Sequence, residues 1–194
     1  MATPGNVKNK VSLTAQIGFA GMLGPLRQSR GVHFPYSPTI QVSHAASYGQ
    51  YETTHSAYQA NYYINTRNPN ISVTAQFTAQ TVEEAEYAAA ALHFFKSCTK
   101  GEFGRSSGNP GAPPPVLKFS AYGELHMSNV PVVLTSFGYV LPEDTDMVET
   151  SFGTIPALFL ASIELTPQYA PEDVKNNYSA ASYRNGAALK RGFM

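Results

Sequence analysis

The sequence predicts a mainly β, α+β fold in which antiparallel strands flank one helix. Three observations carry this. In residues 71–79, apolar Ile71, Val73, Ala75, Phe77 and Ala79 alternate with Ser72, Thr74, Gln76 and Thr78. That period of two marks a strand with one dry face and one wet face. An alanine-rich helix is predicted over 82–99, where Ala85, Ala88, Ala89, Leu92 and Phe95 form a stripe that Ala91 and Phe94 widen. The order, strands then a helix then strands, fits an antiparallel α+β or sandwich pattern and not alternating βαβ units.

The elements follow in order. Residues 1–12 are polar and read as an arm. Residues 13–24 mix apolar side chains with three glycines, a poor helix and a doubtful strand, which suits an extended segment docking on a neighbour; a signal-like or membrane-active segment is the alternative. Two prolines hold 34–38 extended. Ile40, Val42 and Ala46 mark a short strand. Residues 51–66 read as a long strand with Tyr58, Ala60, Tyr62 and Ile64 toward the core and Thr53, His55, Gln59 and Asn61 toward water. Asn68-Pro69-Asn70 reads as a turn, so 51–79 is expected to be one long hairpin. Such a ribbon must join a larger sheet, within the chain or between chains.

Thr81 followed by Glu84 predicts a capping box at the helix start. Residues 101–115, with four glycines and three successive prolines, form a loop. Strands are predicted over 116–122, 130–141 and 155–165, the last with Ile155, Ala157, Phe159, Ala161, Ile163 and Leu165 on one face. An acidic loop with Glu143, Asp144, Asp146 and Glu149 joins the last two. The tail beyond Pro167 lacks periodicity and is expected to lie on a neighbour or to be partly disordered. This divides the chain into an N-terminal arm (1–33), a β domain (34–170) and a C-terminal tail (171–194).

Charged residues make up only 13% of the 194, while there are 12 Tyr and 11 Phe. A tyrosine-rich, charge-poor surface is typical of protein–protein contacts. Formal net charge is zero, which argues against a dedicated nucleic-acid binder. The single cysteine excludes an internal disulfide framework and is compatible with a reducing cytoplasm. No run of about 18 apolar residues offers a membrane span. The N-terminus lacks a secretory signal pattern.

The chain shows no catalytic constellation, and no cofactor is expected. His33, His44, His55, His93 and His126 lie in different segments without metal-ligand spacing. Cys98, near a helix C-terminus, reads as a packing residue and not a nucleophile. The glycines of 101–111 lack a phosphate-loop ending, and no Gly-x-Ser-x-Gly elbow is present. The acidic loop lacks the spacing of a known calcium loop.

Several segments together carry a resemblance. They are Phe34 through Ile40, Ser43 through Tyr48, Ile71 through Ala85, His93 through Lys96, Pro113 through Gly123, Asn129 through Val133, and Pro167-Gln168-Tyr169. In this order the chain resembles the baseplate tail-tube initiator proteins of contractile-tailed bacteriophages. The resemblance implies a tail-tube fold: two antiparallel sheets with a flanking helix, assembling as a homo-hexameric ring whose strands close one shared barrel. It implies a virion protein assembled in the host cytoplasm, seated on the baseplate hub and templating tube polymerisation. Implied partners are the tail-tube protein, the hub, the tape-measure protein and a sheath or sheath initiator; DNA passes without specific binding, and no membrane is involved.

If six chains each give four strands, a spacing of ~4.8 Å and a tilt near 40° make a barrel roughly 45–50 Å across. Its bore of about 35 Å admits duplex DNA. Thr53, His55, Gln59, Asn61, Ser72, Thr74, Gln76 and Thr78 are expected to line it, with no Lys or Arg to capture phosphate. Tyr58, Tyr62, Ile71, Val73, Phe77, Ala85, Leu92 and Phe95 are expected in the core and helix packing. Two other classes stay open: an enzyme, which needs a convergent acid–base pair in a pocket, and a main tube, neck or terminator protein of a phage tail or an analogous injection system.

Overall fold

The computed structural model describes residues 11–104, 109–124 and 126–194. The expected polar arm therefore lies almost wholly outside the described residues. Nine strands occur among them: β1 (Ser12–Ala15), β2 (Gly31–His33), β3 (Thr39–Tyr51), β4 (Ala60–Thr78), β5 (Leu117–Ala121), β6 (Met127–Val140), β7 (Met147–Thr150), β8 (Gly153–Pro156) and β9 (Leu158–Pro167). Three helices accompany them: α1 (Val82–Cys98), α2 (Pro171–Asn177) and α3 (Ala180–Arg184), with short 3-10 turns at Gly21–Leu26 and Leu189–Arg191. The result is mainly β, with two antiparallel sheets. One has seven strands in the order β2-β1-β5-β6-β9-β4-β3; the other is the β7–β8 hairpin.

The large sheet rolls up around its core. β6 pairs with β5 through its first half and with β9 through its second, so it belongs to both halves. Phe34, just beyond β2 at one end of the strand order, therefore meets Phe77 of β4, near the other end, at 5.8 Å. β4 dictates much of this packing. Ile71, Val73, Ala75 and Phe77 are buried, as their alternation predicts, and face Leu165, Ile163, Ala161 and Phe159 of β9 across the ladder. Phe77 and Phe159 stack at 4.8 Å.

Helix α1 closes the core from one side. The Thr81 hydroxyl accepts from the Glu84 N–H (3.3 Å), and the Glu84 carboxylate accepts from the Gln80 N–H (2.9 Å), one residue before the expected box position. Ala85, Ala88, Ala91, Phe94 and Phe95 are buried as expected. Ala90 is buried too, whereas Ala89 and Leu92 are half-buried. The reason is that α1 is covered on two sides, by the sheet and by the Gly21–Leu26 turn, where Phe19 stacks on Phe94.

Four expectations change. The turn expected at Asn68-Pro69-Asn70 is absent: β4 runs straight through it. Pro69 is buried in mid-strand, beside a register shift between Ser43 and Ala45 that gives β4 an extra residue. A proline has no N–H to donate, so a bulge tolerates it. The hairpin turn falls instead at residues 52–59, where His55 takes φ +62° and Ser56 Oγ donates to the Tyr58 carbonyl. The strand expected at 155–165 is cut at Ala157, whose backbone bonds Asp146 and Ala79, so Ile155 joins the small sheet. Ser12–Ala15 and Gly31–His33, within the expected arm, are strands of the large sheet, with Leu13 and Val32 fully buried. The C-terminal tail folds on its own chain: Phe193 stacks on Tyr169 at 5.1 Å and is 6% exposed.

Candidate assembly interface

Four adjacent strands, β6-β9-β4-β3, form a wall with two unlike faces. Toward the core it carries the apolar residues named above. On the opposite face, register places Gln41, Ser72, Glu164 and Ser136 in one row and Thr39, Thr74, Ser162 and Gly138 in the next. Ser72, Thr74, Gln76 and Thr78 thus share the wet face, as expected. Thr74 and Gln76 are exposed, Ser72 is half-buried, and Thr78 is tied to the Tyr36 hydroxyl at 2.9 Å. The face is not wholly neutral. Glu164 lies in it and accepts from Asn70 Nδ2 at 3.0 Å. Reading β9 for its apolar face alone missed this carboxylate, although it sits at the polar position between Ile163 and Leu165.

Among the described residues, both flanks of the wall are open. β3 pairs only with β4, leaving its outer edge from Thr39 to Tyr51 without a strand. β5 covers β6 no further than Val132, so the Val133–Val140 edge opposite β9 is likewise without a strand. Long free edges invite pairing with another chain.

The wall also projects. Residues 60–70 of β4 pair with β3 alone, about 35 Å of two-stranded ribbon. Tyr48 and Tyr63 meet edge-to-face at 5.8 Å, and the Tyr62 ring lies over its cross-strand partner Gly49. Tyr48, Tyr51, Tyr62, Tyr63 and Ile64 are all more than half exposed. Tyr62 and Tyr63 are successive in the strand, so both ribbon faces present aromatic rings.

These positions correct part of the sequence reading. Tyr58, 87% exposed, and Tyr62 do not pack on the helix. Thr53, His55 and Gln59 belong to the 52–59 turn and not to a strand wall; Gln59 donates to Glu52 at 2.9 Å. Asn61 lies on β4 opposite Gln50, in the ribbon. The alternation of tyrosines over 58–64 imitated a core strand because tyrosine serves a ribbon surface as readily as an interior. Ile71, Val73, Phe77, Ala85 and Phe95 are buried as assigned, and Leu92 borders the core.

Among the described residues, no group of three or more His, Cys, Asp or Glu is arranged to hold a metal, and no helix is long and apolar enough to cross a membrane. Burial pushes the Cys98 thiol up to about 12, so at neutral pH it is protonated. Tyr87 is structural: its hydroxyl accepts from the His33 N–H (2.8 Å) and donates to the His33 carbonyl (2.9 Å), pinning β2 to α1. Burial pushes its pKa up to about 12, against the smaller opposing pull of the His33 backbone. Its contribution is complete below pH 10, the unfolded value, and is lost as pH rises from there through about 12. Tyr87→Phe is expected to cost about 1–2 kcal/mol at pH 8 and to flatten the stability loss above pH 10. Urea titrations at pH 8, 10 and 11.5 check this; an unchanged alkaline slope contradicts it.

Comparison of the chain with protein-family models and with curated proteins returned no match.

Proposed function

We propose that this chain is a structural, non-enzymatic subunit of a phage tail, a tube initiator that forms a hexameric ring on the baseplate hub. One observation carries the reading: the β6-β9-β4-β3 wall has alternating strand directions and a free edge on each flank. β3 runs opposite to β6. Placing β3 of one copy beside β6 of the next therefore continues the antiparallel alternation around a ring, and closure leaves no edge unpaired. Six copies make a barrel of the diameter estimated above, its polar face toward the bore and α1 outside.

In this reading Ser72, Thr74, Gln76 and Glu164 line the passage. At these positions hydroxyls, amides and a carboxylate give DNA phosphates no cation to hold, so duplex DNA slides past them without specific binding. The tail-tube protein, the tape-measure protein and a sheath or sheath initiator complete the partner set that the family resemblance implies, in a virion assembled in the host cytoplasm. The main tube subunit, whose rings stack on their own kind, is the second reading; the division of charge between an acidic 141–157 segment and a basic 174–194 segment favours it.

Negative-stain microscopy with mass photometry of the purified chain tests the proposal. The expected particle is a six-fold ring of about 126 kDa, built from 21.0 kDa chains, with an open centre. A monodisperse 21.0 kDa particle at micromolar concentration contradicts it.

A further inference from the structure

We propose that Pro113-Pro114-Pro115 is a strand stop that reserves the Val133–Val140 edge of β6 for β3 of a second copy; without it, β5 would run on and the chain would cover that edge itself. The inference rests on the ring reading and names what keeps one side of the seam open.

Register shows where the stop acts. β5 and β6 are antiparallel, with Phe119 opposite Val130 and Leu117 opposite Val132. Continuing that register sets Val116 opposite Val133 and Pro115 opposite Leu134, with Pro114 and Pro113 beyond. The Pro131 carbonyl accepts from the Gln168 N–H at 2.8 Å, on the β9 side of β6. Backbone groups alternate sides along a strand, so Val130, Val132 and Leu134 turn theirs to the β5 side. Pro115 therefore occupies the next pairing position of the β5–β6 ladder and has no N–H to give it. Three prolines in a row also hold the chain near the polyproline II form, whose period of three does not match the pleat of a sheet.

The surroundings anchor the same segment elsewhere. Just past α1, the Glu102 N–H donates to the Ala112 carbonyl at 2.9 Å, and the Gly111 N–H donates to the Glu102 carbonyl at 2.7 Å. The prolines span from this anchor to buried Leu117 at the start of β5. Pro113 is exposed, and Pro114 and Pro115 are half-buried. The flanking residues favour a longer strand: Val116 is β-branched, and the edge it would follow carries Val133, Phe137, Tyr139 and Val140. With strand-forming residues at 113–115, β5 would reach Ser136 and take the first half of the free edge. A strand from the same chain wins that edge over one from a second copy, because it loses no translational and rotational freedom in association. Glycines in place of the prolines would end β5 less firmly, since each keeps an N–H that can pair.

Two variants separate a strand stop from a plain loop. The triple change Pro113→Thr, Pro114→Val, Pro115→Thr restores every N–H. The double change Pro113→Thr, Pro114→Val keeps Pro115 at the first pairing position. Both are compared with the wild type by mass photometry at one subunit concentration and by amide exchange on the dissociated chain. The triple variant is expected to lose rings at least tenfold, while its Leu134 amide exchanges at least tenfold more slowly. The double variant is expected to match the wild type in both. Pro115→Thr alone covers the case in which the triple variant fails to fold, with rings falling at least threefold. Wild-type levels of rings from the triple variant, loss of rings without slower exchange at Leu134, or loss of rings in the double variant each overturn the inference and leave the ring reading standing. Absence of rings from the wild type overturns both.

Discussion

Phe77→Asp is expected to abolish folding. Phe77 is 1% exposed and touches rings from three directions: Phe159 at 4.8 Å, Phe34 at 5.8 Å and Phe95 at 6.3 Å. It joins the wall, the β2 end of the rolled sheet and α1. Truncation alone, as in Phe77→Ala, removes those contacts and leaves a cavity, a loss of about 3–5 kcal/mol. A carboxylate at this site adds an unpaired charge, and no buried charged or polar residue exists among the described residues to receive it. Against a total stability of about 5–15 kcal/mol, the sum leaves no native state. Near-UV circular dichroism and size exclusion check it. Native spectra and normal rings from Phe77→Asp would show that the dry face of β4 is misassigned.

The second large effect concerns assembly. Successive N–H groups of an edge strand point alternately to the partner strand and outward. Prolines placed one at a time at Ile40, Gln41, Val42 and Ser43 of β3 are therefore expected to give an alternating outcome. Two alternate positions lose a bond to β4 and more than about 2 kcal/mol of stability. The other two keep the monomer fold, because their N–H groups face no strand among the described residues, yet fail to form rings. Thermal unfolding and mass photometry on the same four proteins read both quantities. Equal destabilisation at all four, or rings from the outward pair, contradicts a seam along β3.

Much of the wall was legible in the sequence because burial imposes period two wherever one face is dry. Ile71 through Thr78 and Phe159 through Leu165 obey it, and their faces fell where alternation placed them. The helix was legible from Thr81, Glu84 and its alanines. The ribbon was not. Between Ala60 and Asn68 every residue is exposed, so nothing forces alternation, and Tyr58 and Tyr62 read as core when they are surface. Turn chemistry also misled. Asn68-Pro69-Asn70 resembles a turn but is absorbed by a bulge, while the actual turn at 52–59 contains neither Gly nor Pro and relies on His55 in the left-handed region. Leu13 and Val32 seemed part of an arm because their strands are only four and three residues long, too short for periodicity to register. Glu164 escaped notice because a charge in an otherwise apolar stretch matters only once register sets it beside Ser72.

The most direct measurement of the central claim is amide hydrogen exchange on assembled and dissociated chain. The account predicts that assembly protects alternate amides of Thr39–Tyr51 and of Val133–Val140 together, with little change in β4 between Ile71 and Thr74, which is already paired on both sides. Edges that exchange equally fast in both states, in a particle that is nonetheless assembled, contradict it: the copies then meet through some other surface.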